Sequence, residues 1–480
     1  MEIPTSFVVF NFFNYIMIFT ILGSKEIFIM IVIDLFAGAG GLSEGFTREG
    51  YRIAAHVEMN AWACETLRSR MIWRYLASIG KERLFINYVK NSTHRNAMFF
   101  REILIEKYPE IKQQIYSEVL NRKFGDPKID ATSTDMGVII SEIENLLGKW
   151  NASSVDVIIG GPPCQPYSIV GRGRLKEKVD KDDRNYLFKY FCEIVKHFQP
   201  KMFVFENVPG ILTALNGTIM PRITKAFDEI GYGLRSGISN NDKENILNAV
   251  DFGVCQSRKR LILIGWRRNT LYNEFVYPDL KTYSTFNPKG NMTSMDALSD
   301  LPPLKDGEGN NRWFGTYPKG RFTAYQSLMR ENSPGVMNHY ARPHNQQDIM
   351  NYRDAIMAKC DGNRQINYNE YPEERKTHNN RHSFTDRYKV HGNNELPHTV
   401  VAHIAKDGHY NIHYDPIQCR SLTVREAARV QSFPDNYLFE GPRTAQFMQV
   451  GNAVPPLMAQ AIARAIKSFI KGNGSHGGCI

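Results

Sequence analysis

One cysteine stands where its surroundings could make it a nucleophile. Residues 155–159 are rich in β-branched side chains, which predicts a buried parallel strand. Two glycines end the strand, and Pro162 and Pro163 then stiffen the backbone immediately before the thiol of Cys164. Open α/β sheets bind ligands at the carboxyl ends of their strands, so a sulfur held there is placed for chemistry. For this segment alone, a loop carrying a buried structural cysteine is the alternative.

A carboxylate ends the next predicted buried strand. Residues 202–205 are apolar, and Glu206 follows them directly, ahead of a Pro-Gly turn. The flanking apolar side chains should partly desolvate this carboxylate and raise its pKa, which suits it to donate a proton near neutral pH.

Two arginines precede a further strand. Arg258 and Arg260 alternate, so in extended backbone their side chains share one face. Two guanidiniums that converge on one point suit an anion or a base carbonyl.

A glycine-rich turn follows the first predicted strand, residues 31–35. Gly38 and Gly40 permit a tight turn, but the third glycine of a dinucleotide fingerprint would fall at Ser43, so that fingerprint fails. Glu58 ends the second strand, where a carboxylate can accept hydrogen bonds from both ribose hydroxyls of an adenosine. The glycine turn lacks the spacing that binds a pyrophosphate, and Glu58 is placed to bind a ribose. This combination favours S-adenosylmethionine over NAD. A purely structural strand-to-helix turn is the alternative.

The chain has 480 residues and a basic composition. Lys and Arg number 59 against 49 Asp and Glu, a formal net charge of +10 that suits a polyanionic partner. The seven cysteines are scattered without a C-x-x-C pair, which argues against a disulfide framework or a structural zinc site. We therefore expect a reducing, cytoplasmic setting and no metal.

Composition divides the chain into stretches of different character. Residues 1–29 contain an apolar run that is short for a membrane span and interrupted by asparagines, so we expect a non-native or disordered extension ahead of Met30 and no stable membrane association. A true membrane anchor is the alternative for this segment. From about residue 266 the strand–helix alternation fades, and the polar, aromatic composition suits contacts with base edges and phosphates. An irregular insertion is the alternative for that segment. The predicted units are a catalytic α/β domain at 30–265, a smaller irregular domain at 266–440, a return to the catalytic domain at 441–472 and a disordered tail at 473–480.

Helices and loops are predicted between these motifs. Residues 61–150 predict charged helices with solvated faces, around 62–70, 99–108 and 138–150, and an acid that contacts adenine could lie near Asp130 or Asp135. Residues 171–184 are charge-dense and predict a surface loop able to close over a site beside Cys164. Further along the chain, Thr423 and Glu426 form the capping-box pattern that opens a helix.

Taken together, seven segments resemble the DNA (cytosine-5) methyltransferase family of bacterial restriction-modification systems. In order they are DLFAGAGGLSEGF (34–46), Glu58, GGPPCQPYS (160–168), ENVPG (206–210), QSRKR (256–260), RSLTVREAARVQSFPD (420–435) and QVGNAVPP (449–456). Each is weak alone, whereas seven in family order argue strongly against chance. The resemblance implies a Rossmann-like S-adenosylmethionine-dependent fold with a target-recognition domain at about 266–415.

The resemblance also implies roles for individual residues. Cys164 would attack C6 of a cytosine flipped out of duplex DNA, and Glu206 would protonate the base. Arg258 and Arg260 would contact the base and phosphate. The implied cofactor-binding residues are Phe36, Gly38, Gly40, Glu58, Met59, Pro163, Asn452 and Val454. The implied nucleic-acid contacts are Gln165, Ser168, Arg172, Arg174 and Arg258.

The sequence departs from the family pattern at three places. Cys255 occupies a position that is usually proline, and Met59 stands where an aromatic residue often stacks on adenine. The stretch between Glu58 and residue 155 is longer than in minimal members.

An RNA cytosine-5 methyltransferase or a catalytically silent nucleic-acid-binding protein are the alternatives, although the large recognition segment favours duplex DNA. A cognate restriction endonuclease is the implied functional partner.

Overall fold

The structure is a computed structural model that describes residues 29–163, 187–234, 245–270, 275, 280–288, 292–376, 382 and 384–474. Some of the predictions therefore lie outside the described residues. They concern the extension up to residue 28, the charged loop at 171–184, the end of the tail, and the positions Cys164, Gln165, Ser168, Arg172 and Arg174.

A mixed sheet dominated by parallel strands forms the centre of the described chain. Its strands are β1 (Ile31–Leu35), β2 (Arg52–Glu58), β3 (Val119–Asn121), β4 (Val157–Gly160), β5 (Met202–Asn207), β6 (Tyr232–Leu234), β7 (Ile246–Asn248) and β8 (Lys259–Arg267). Their order is β3-β2-β1-β4-β5-β8-β6, and β7 also pairs with β8. The first five strands of that order run parallel, whereas β8 is antiparallel to its three neighbours. The direction of strand addition reverses between β1 and β4, which is where sheets of this class bind ligands.

Helices cover both faces of the sheet. The α-helices of the described residues are α1 (Gly41–Arg48), α2 (Ala61–Ser78), α3 (Glu82–Asn91), α4 (Ala97–Ile105), α5 (Pro109–Glu118), α6 (Met136–Lys149), α7 (Leu187–Phe198), α8 (Ile219–Glu229), α9 (Ser294–Leu298), α10 (Ala324–Arg330), α11 (Gln346–Gly362), α12 (Val424–Val430), α13 (Arg443–Asn452) and α14 (Pro456–Gly474). In β1, Val32 packs into a core with α1 and α14, and Ile33 packs on the opposite face with α6, α7 and α8. This arrangement confirms the predicted Rossmann-like α/β class. Within the described residues, no helix combines the length and apolar character required to cross a bilayer.

The stretch after β2 is more than a set of solvated helices. Helices α2 to α5 enclose an apolar cluster of their own, with Trp73, Phe85, Ile105 and Ile115 buried in it. The predicted helices near 62–70 and 99–108 are present, but α2 continues to residue 78, and two helices that were not predicted complete the cluster.

The second half contains a short antiparallel sheet and a separate aromatic cluster. Strands β9 (Gly309–Gly315) and β10 (Val336–Tyr340) pair with each other, and Tyr352, Tyr368 and Tyr388 pack around α11. Most apolar side chains of residues 422–439 are instead buried in the core that lies against the central sheet, whereas Leu438 joins the cluster of helices α2 to α5. The packing therefore continues from the central sheet into the segment that precedes residue 440.

Candidate active site at the carboxyl ends of the parallel strands

The turn after β1 adopts a strained backbone that leaves space on one side. Phe36, Gly38 and Gly40 have φ angles of 54°, 55° and 81°, in the left-handed region. A Cβ on Gly40 would lie 2.6 Å from Leu67 Cδ2, so this glycine is required for packing. A Cβ on Gly38 would meet nothing within 4 Å, so the turn is open at that position.

Glu58 fastens this turn to the end of β2. Its buried carboxylate accepts hydrogen bonds from Gly38 N–H at 2.8 Å and Asn60 N–H at 2.6 Å. Burial raises the pKa of Glu58, although both backbone hydrogen bonds oppose this increase. Each carboxylate oxygen retains further acceptor capacity, which is what a pair of neighbouring ribose hydroxyls needs.

Two residues that belong to no sequence motif close the β3 side of the turn. Asn121 Nδ2 donates to Glu58 O and to Met59 O, each at 3.0 Å. The ring of Phe124 lies 4.7 Å from that of Phe36, between centroids. Met59 is 59% exposed, so its side chain is accessible beside this group. Only the parallel pairing of β3 with β2 could have indicated Asn121 in advance.

The two acids suggested for adenine contact have local partners. Asp130 pairs with Lys123 and accepts a hydrogen bond from Thr132 Oγ1 at 2.7 Å. Asp135 caps α6 by accepting from Gly137 N–H at 2.8 Å. Both carboxylates are thus engaged within their own segment, and neither is assigned to the adenine ring.

The turn between α13 and α14 lies against the glycine turn. A Cβ on Gly41 would collide with Val454 O, so the two backbones are in direct contact. Asn452 is the last residue of α13 and is exposed, and Val454 is buried. The open position at Gly38, the Glu58 carboxylate and this turn fit the adenosine part of a cofactor such as S-adenosylmethionine.

Glu206 lies next to the chain segment that leads into Cys164. Strands β4 and β5 pair in parallel, with Gly160 opposite Phe205. A Cβ on Gly161 would lie 2.5 Å from Glu206 Oε2, and Asn207 Nδ2 donates to Pro162 O at 3.3 Å. The sheet thus brings the Gly-Gly-Pro-Pro segment and the carboxylate together, as their positions after two buried strands predicted.

The Glu206 carboxylate is buried and paired with one arginine. Arg260 Nε lies 3.0 Å from Glu206 Oε1. Burial raises the pKa of Glu206, and the positive charges of Arg260 and Arg258 reduce that increase. The pKa elevation predicted from the flanking apolar residues is therefore confirmed in direction.

The two arginines do not converge on one target. The Arg258 side chain is fully buried, and its guanidinium donates to the backbone carbonyls of Val400, Gly451 and Ala453. The prediction that Arg258 contacts a base or phosphate alongside Arg260 does not fit this position. The alternation of the two arginines predicted only that their side chains share a face. It could not reveal the carbonyls that bind Arg258, because they are far away in sequence.

The second thiol of this region is not placed to react. Cys255 is fully buried, its Sγ donates to Thr293 O at 3.3 Å, and burial raises the pKa of the thiol. The cysteines that the structure describes are all free. Among the described residues, no group of three or more His, Cys, Asp or Glu side chains is arranged to hold a metal ion.

Comparisons with known proteins agree with this geometry. The family model for C-5 cytosine-specific DNA methylases matches residues 30–85 and 105–468. The type II methyltransferase M.Bpa9945I of Bacillus paralicheniformis is 51% identical over 452 residues, covering 93% of this chain and 100% of that protein. The type II methyltransferase M.DdeI of Desulfomicrobium norvegicum is 31% identical, covering 92% of this chain and 89% of that one.

A solved structure shares the fold. It is an E. coli prophage-encoded protein assigned as a DNA modification methyltransferase, with a TM-score of 0.57 and 21% sequence identity. The match covers 92% of this chain and 99% of that one.

Proposed function

Because the chain belongs to the family of C-5 cytosine-specific DNA methylases, we propose that it methylates C5 of a cytosine flipped out of a specific sequence in duplex DNA, through a covalent bond between Cys164 and C6. The observation that carries this proposal is the buried Glu206, with its raised pKa, beside the strand end that leads into Cys164. S-adenosylmethionine, when bound, supplies an electrophilic methyl group.

The chemistry requires both a nucleophile and an acid. Cytosine C5 is a poor nucleophile, so the Cys164 thiolate first adds to C6 while Glu206 donates its proton to N3. The ring becomes an enamine with carbanion character at C5, which can then accept the methyl group. A base removes the C5 proton, the C6–S bond breaks, and the thiolate is regenerated as N3 returns its proton to Glu206. The enzyme thus returns to its starting form with no bond to the product, and the C5 proton leaves with the base.

We assign different tasks to Glu58 and Glu206. Glu58, beside the glycine turn, orients the ribose, and we assign the rest of the cofactor site to Phe36, Met59, Pro163, Asn452 and Val454. Arg260 holds Glu206 in place and opposes negative charge that develops on the base oxygen.

Access to C6 requires the cytosine to leave the base stack. We assign target recognition to the segment at 266–440, and base and phosphate contacts to Gln165, Ser168, Arg172 and Arg174. The similarity to enzymes named type II methyltransferases supports a role as the modification enzyme of a restriction-modification system, acting in the cytoplasm with a cognate endonuclease as functional partner.

Transfer of labelled methyl groups tests the reaction. The protein should methylate duplex DNA rather than tRNA, and bisulfite sequencing of DNA from expressing cells should show 5-methylcytosine in one sequence context. Cys164→Ser should abolish transfer, whereas Cys360→Ser, which changes an exposed free cysteine on α11, should leave it unchanged. Full transfer by Cys164→Ser would exclude the covalent route, and transfer to tRNA alone would exclude the DNA substrate.

A further inference from the structure

The guanidinium of Arg258 connects three backbone segments that are far apart in sequence. Its Nη1 donates to Val400 O at 2.7 Å, and its Nη2 donates to Gly451 O and Ala453 O, each at 2.9 Å. The side chain is 0% exposed, so its donors are directed into the protein.

On one side, the segment around Val400 is held against the Gln-Ser-Arg-Lys-Arg motif, residues 256–260, by further hydrogen bonds beside that of Arg258. Gln256 Oε1 accepts from Val400 N–H at 2.7 Å, and Ser257 O accepts from Thr399 Oγ1 at 2.5 Å. The residues just before β8 are therefore joined to the proposed recognition segment by side chains and backbone together.

On the other side, Arg258 holds the turn at 451–454, which lies against the glycine turn after β1. A Cβ on Gly451 would collide with the backbone at Val401 and Ala402, so the end of α13 lies flush against that segment. Ala453 immediately precedes Val454, whose carbonyl contacts Gly41. Two of the three carbonyls that Arg258 binds thus flank Asn452 and lie next to the proposed cofactor site.

Burying a cation costs desolvation energy that an apolar side chain in the same place would not cost. No carboxylate lies within ion-pair distance of Arg258 among the described residues, and burial lowers the pKa of its guanidinium. Three carbonyl dipoles offset part of the desolvation cost. The rigid fork of a guanidinium can bind them at the same time, whereas the single ammonium of a lysine cannot reproduce that geometry.

We propose that Arg258 is a positioning residue that fixes the cofactor-side turn at 451–454 and the segment at 397–402 relative to the Arg260–Glu206 pair, without contacting DNA. The inference rests on the proposed function for the meaning of these sites. It predicts that one substitution disturbs cofactor binding and transfer together while the protein's phosphate contacts stay intact.

Three measurements on Arg258→Met and Arg258→Lys test this role. Calorimetric binding of S-adenosylhomocysteine should weaken by about 10-fold or more in the Met variant and by less in the Lys variant. The kcat should fall in the same order. The salt dependence of DNA binding should keep its slope, because no phosphate contact is lost. Arg268→Met, which changes a half-exposed arginine paired with Asp228, is the matched control and should alter none of these quantities.

A slope that decreases by about 0.9 in the Arg258 variants would show a lost phosphate contact and overturn the proposal. Unchanged affinity for S-adenosylhomocysteine in the Met variant would also overturn it. Circular dichroism checks folding, and if the Met variant does not fold, the same readings on the Lys variant decide. If the unaltered protein fails to methylate DNA, the proposed function fails, while S-adenosylhomocysteine affinity still judges Arg258.

Discussion

At the scale of single residues, the surroundings of Glu206 affect both the protonation and the orientation of its carboxylate. Burial favours its protonated form, and Arg260 fixes one of its oxygens at 3.0 Å. An acid that donates to a base must hold its proton near neutral pH and point in one direction. Burial shifts the pKa of Glu206 toward the first condition, and the contact with Arg260 provides the second.

Replacing this acid while keeping its shape should affect chemistry more than binding. In Glu206→Gln the amide cannot donate an acidic proton, so kcat should fall by about 10²–10⁴-fold. DNA affinity should stay within about 3-fold, because glutamine keeps the shape of the side chain and can still form a hydrogen bond to the base. Labelled methyl transfer and equilibrium DNA binding measure the two effects. A kcat equal to that of the unaltered enzyme would show that another group protonates the base.

Gly161 controls the position of the same carboxylate. In Gly161→Ala the new methyl group would lie 2.5 Å from Glu206 Oε2, so the acid or the strand end must shift, and we expect kcat to fall by at least about 10-fold. Gly148→Ala is the matched control, because its Cβ meets nothing within 4 Å at the end of α6. Equal activity of the two variants in the same transfer assay would contradict the close approach at Gly161.

The residues of the site differ in how far the sequence could predict them. Glu58 and Glu206 each follow a buried strand, and the carboxyl ends of parallel strands lie at one edge, so local pattern was sufficient. Arg258 could not be assigned from local pattern, because its partners lie 142 to 195 positions away. Arg260, two positions along the same motif, instead pairs with Glu206.

At the scale of elements, α12 shows how a predicted cap can have a larger role. Glu426 accepts from Thr423 N–H at 2.7 Å, which confirms the capping box. The same carboxylate also binds Arg420 through two hydrogen bonds of 2.8 Å. Burial alone would raise the pKa of Glu426, but Arg420 holds it well below its usual range. The helix start is therefore also a buried ion pair.

Removing the charge of Glu426 should destabilise the protein strongly. Glu426→Gln can keep the cap but leaves the buried Arg420 without a counter-charge, so the free energy of unfolding in urea should decrease by about 3–5 kcal/mol. Glu229→Gln breaks an exposed pair with Lys225 on α8 and should cost less than about 1 kcal/mol. Similar losses for the two variants would mean that the buried pair contributes only as a cap.

The helices after β2 show where element prediction failed. Local pattern located α2 and α4, but it could not show that their apolar residues face a common cluster completed by α3 and α5. A charged helix looks solvated until its partner is known. The partner is non-local, so periodicity alone could not supply it.

At the scale of the whole molecule, the central sheet could be predicted from the sequence. Local sequence patterns do not show where the second unit ends. Buried parallel strands are continuous apolar runs, and the sequence shows them clearly at β1, β4 and β5. The polar segment from 266 contains few such runs. Its residues 422–439 nevertheless pack in the core against the central sheet, an arrangement that depends on long-range contacts.

Buried titratable groups give the whole molecule an expected pH response. Burial lowers the pKa of a set of histidines: His339, His344, His391, His398 and His413. Because the unfolded chain binds protons more readily at these positions, each lowers the stability as the pH falls below 6.5, by up to about 1.4 kcal/mol per pH unit. Glu58, Glu118 and Glu206, whose pKa values are raised by burial, act in the opposite direction down to the unfolded value near 4.5.

The balance of these groups predicts a gradual loss of stability followed by steep acid unfolding. Between pH 6.5 and about 4.5 the five histidines outweigh the three raised carboxyls, so the free energy of unfolding should decrease gradually as the pH falls. Below that window the raised carboxyls no longer compensate, and Glu44 and Glu426, whose native pKa values lie far below normal, begin to favour the unfolded state because only the unfolded chain protonates them. Urea unfolding at pH 7, 6, 5 and 4 measures this curve. A free energy of unfolding that stays constant or rises from pH 7 to pH 5 would contradict this balance, because it would mean that the raised carboxyls fully offset the histidines.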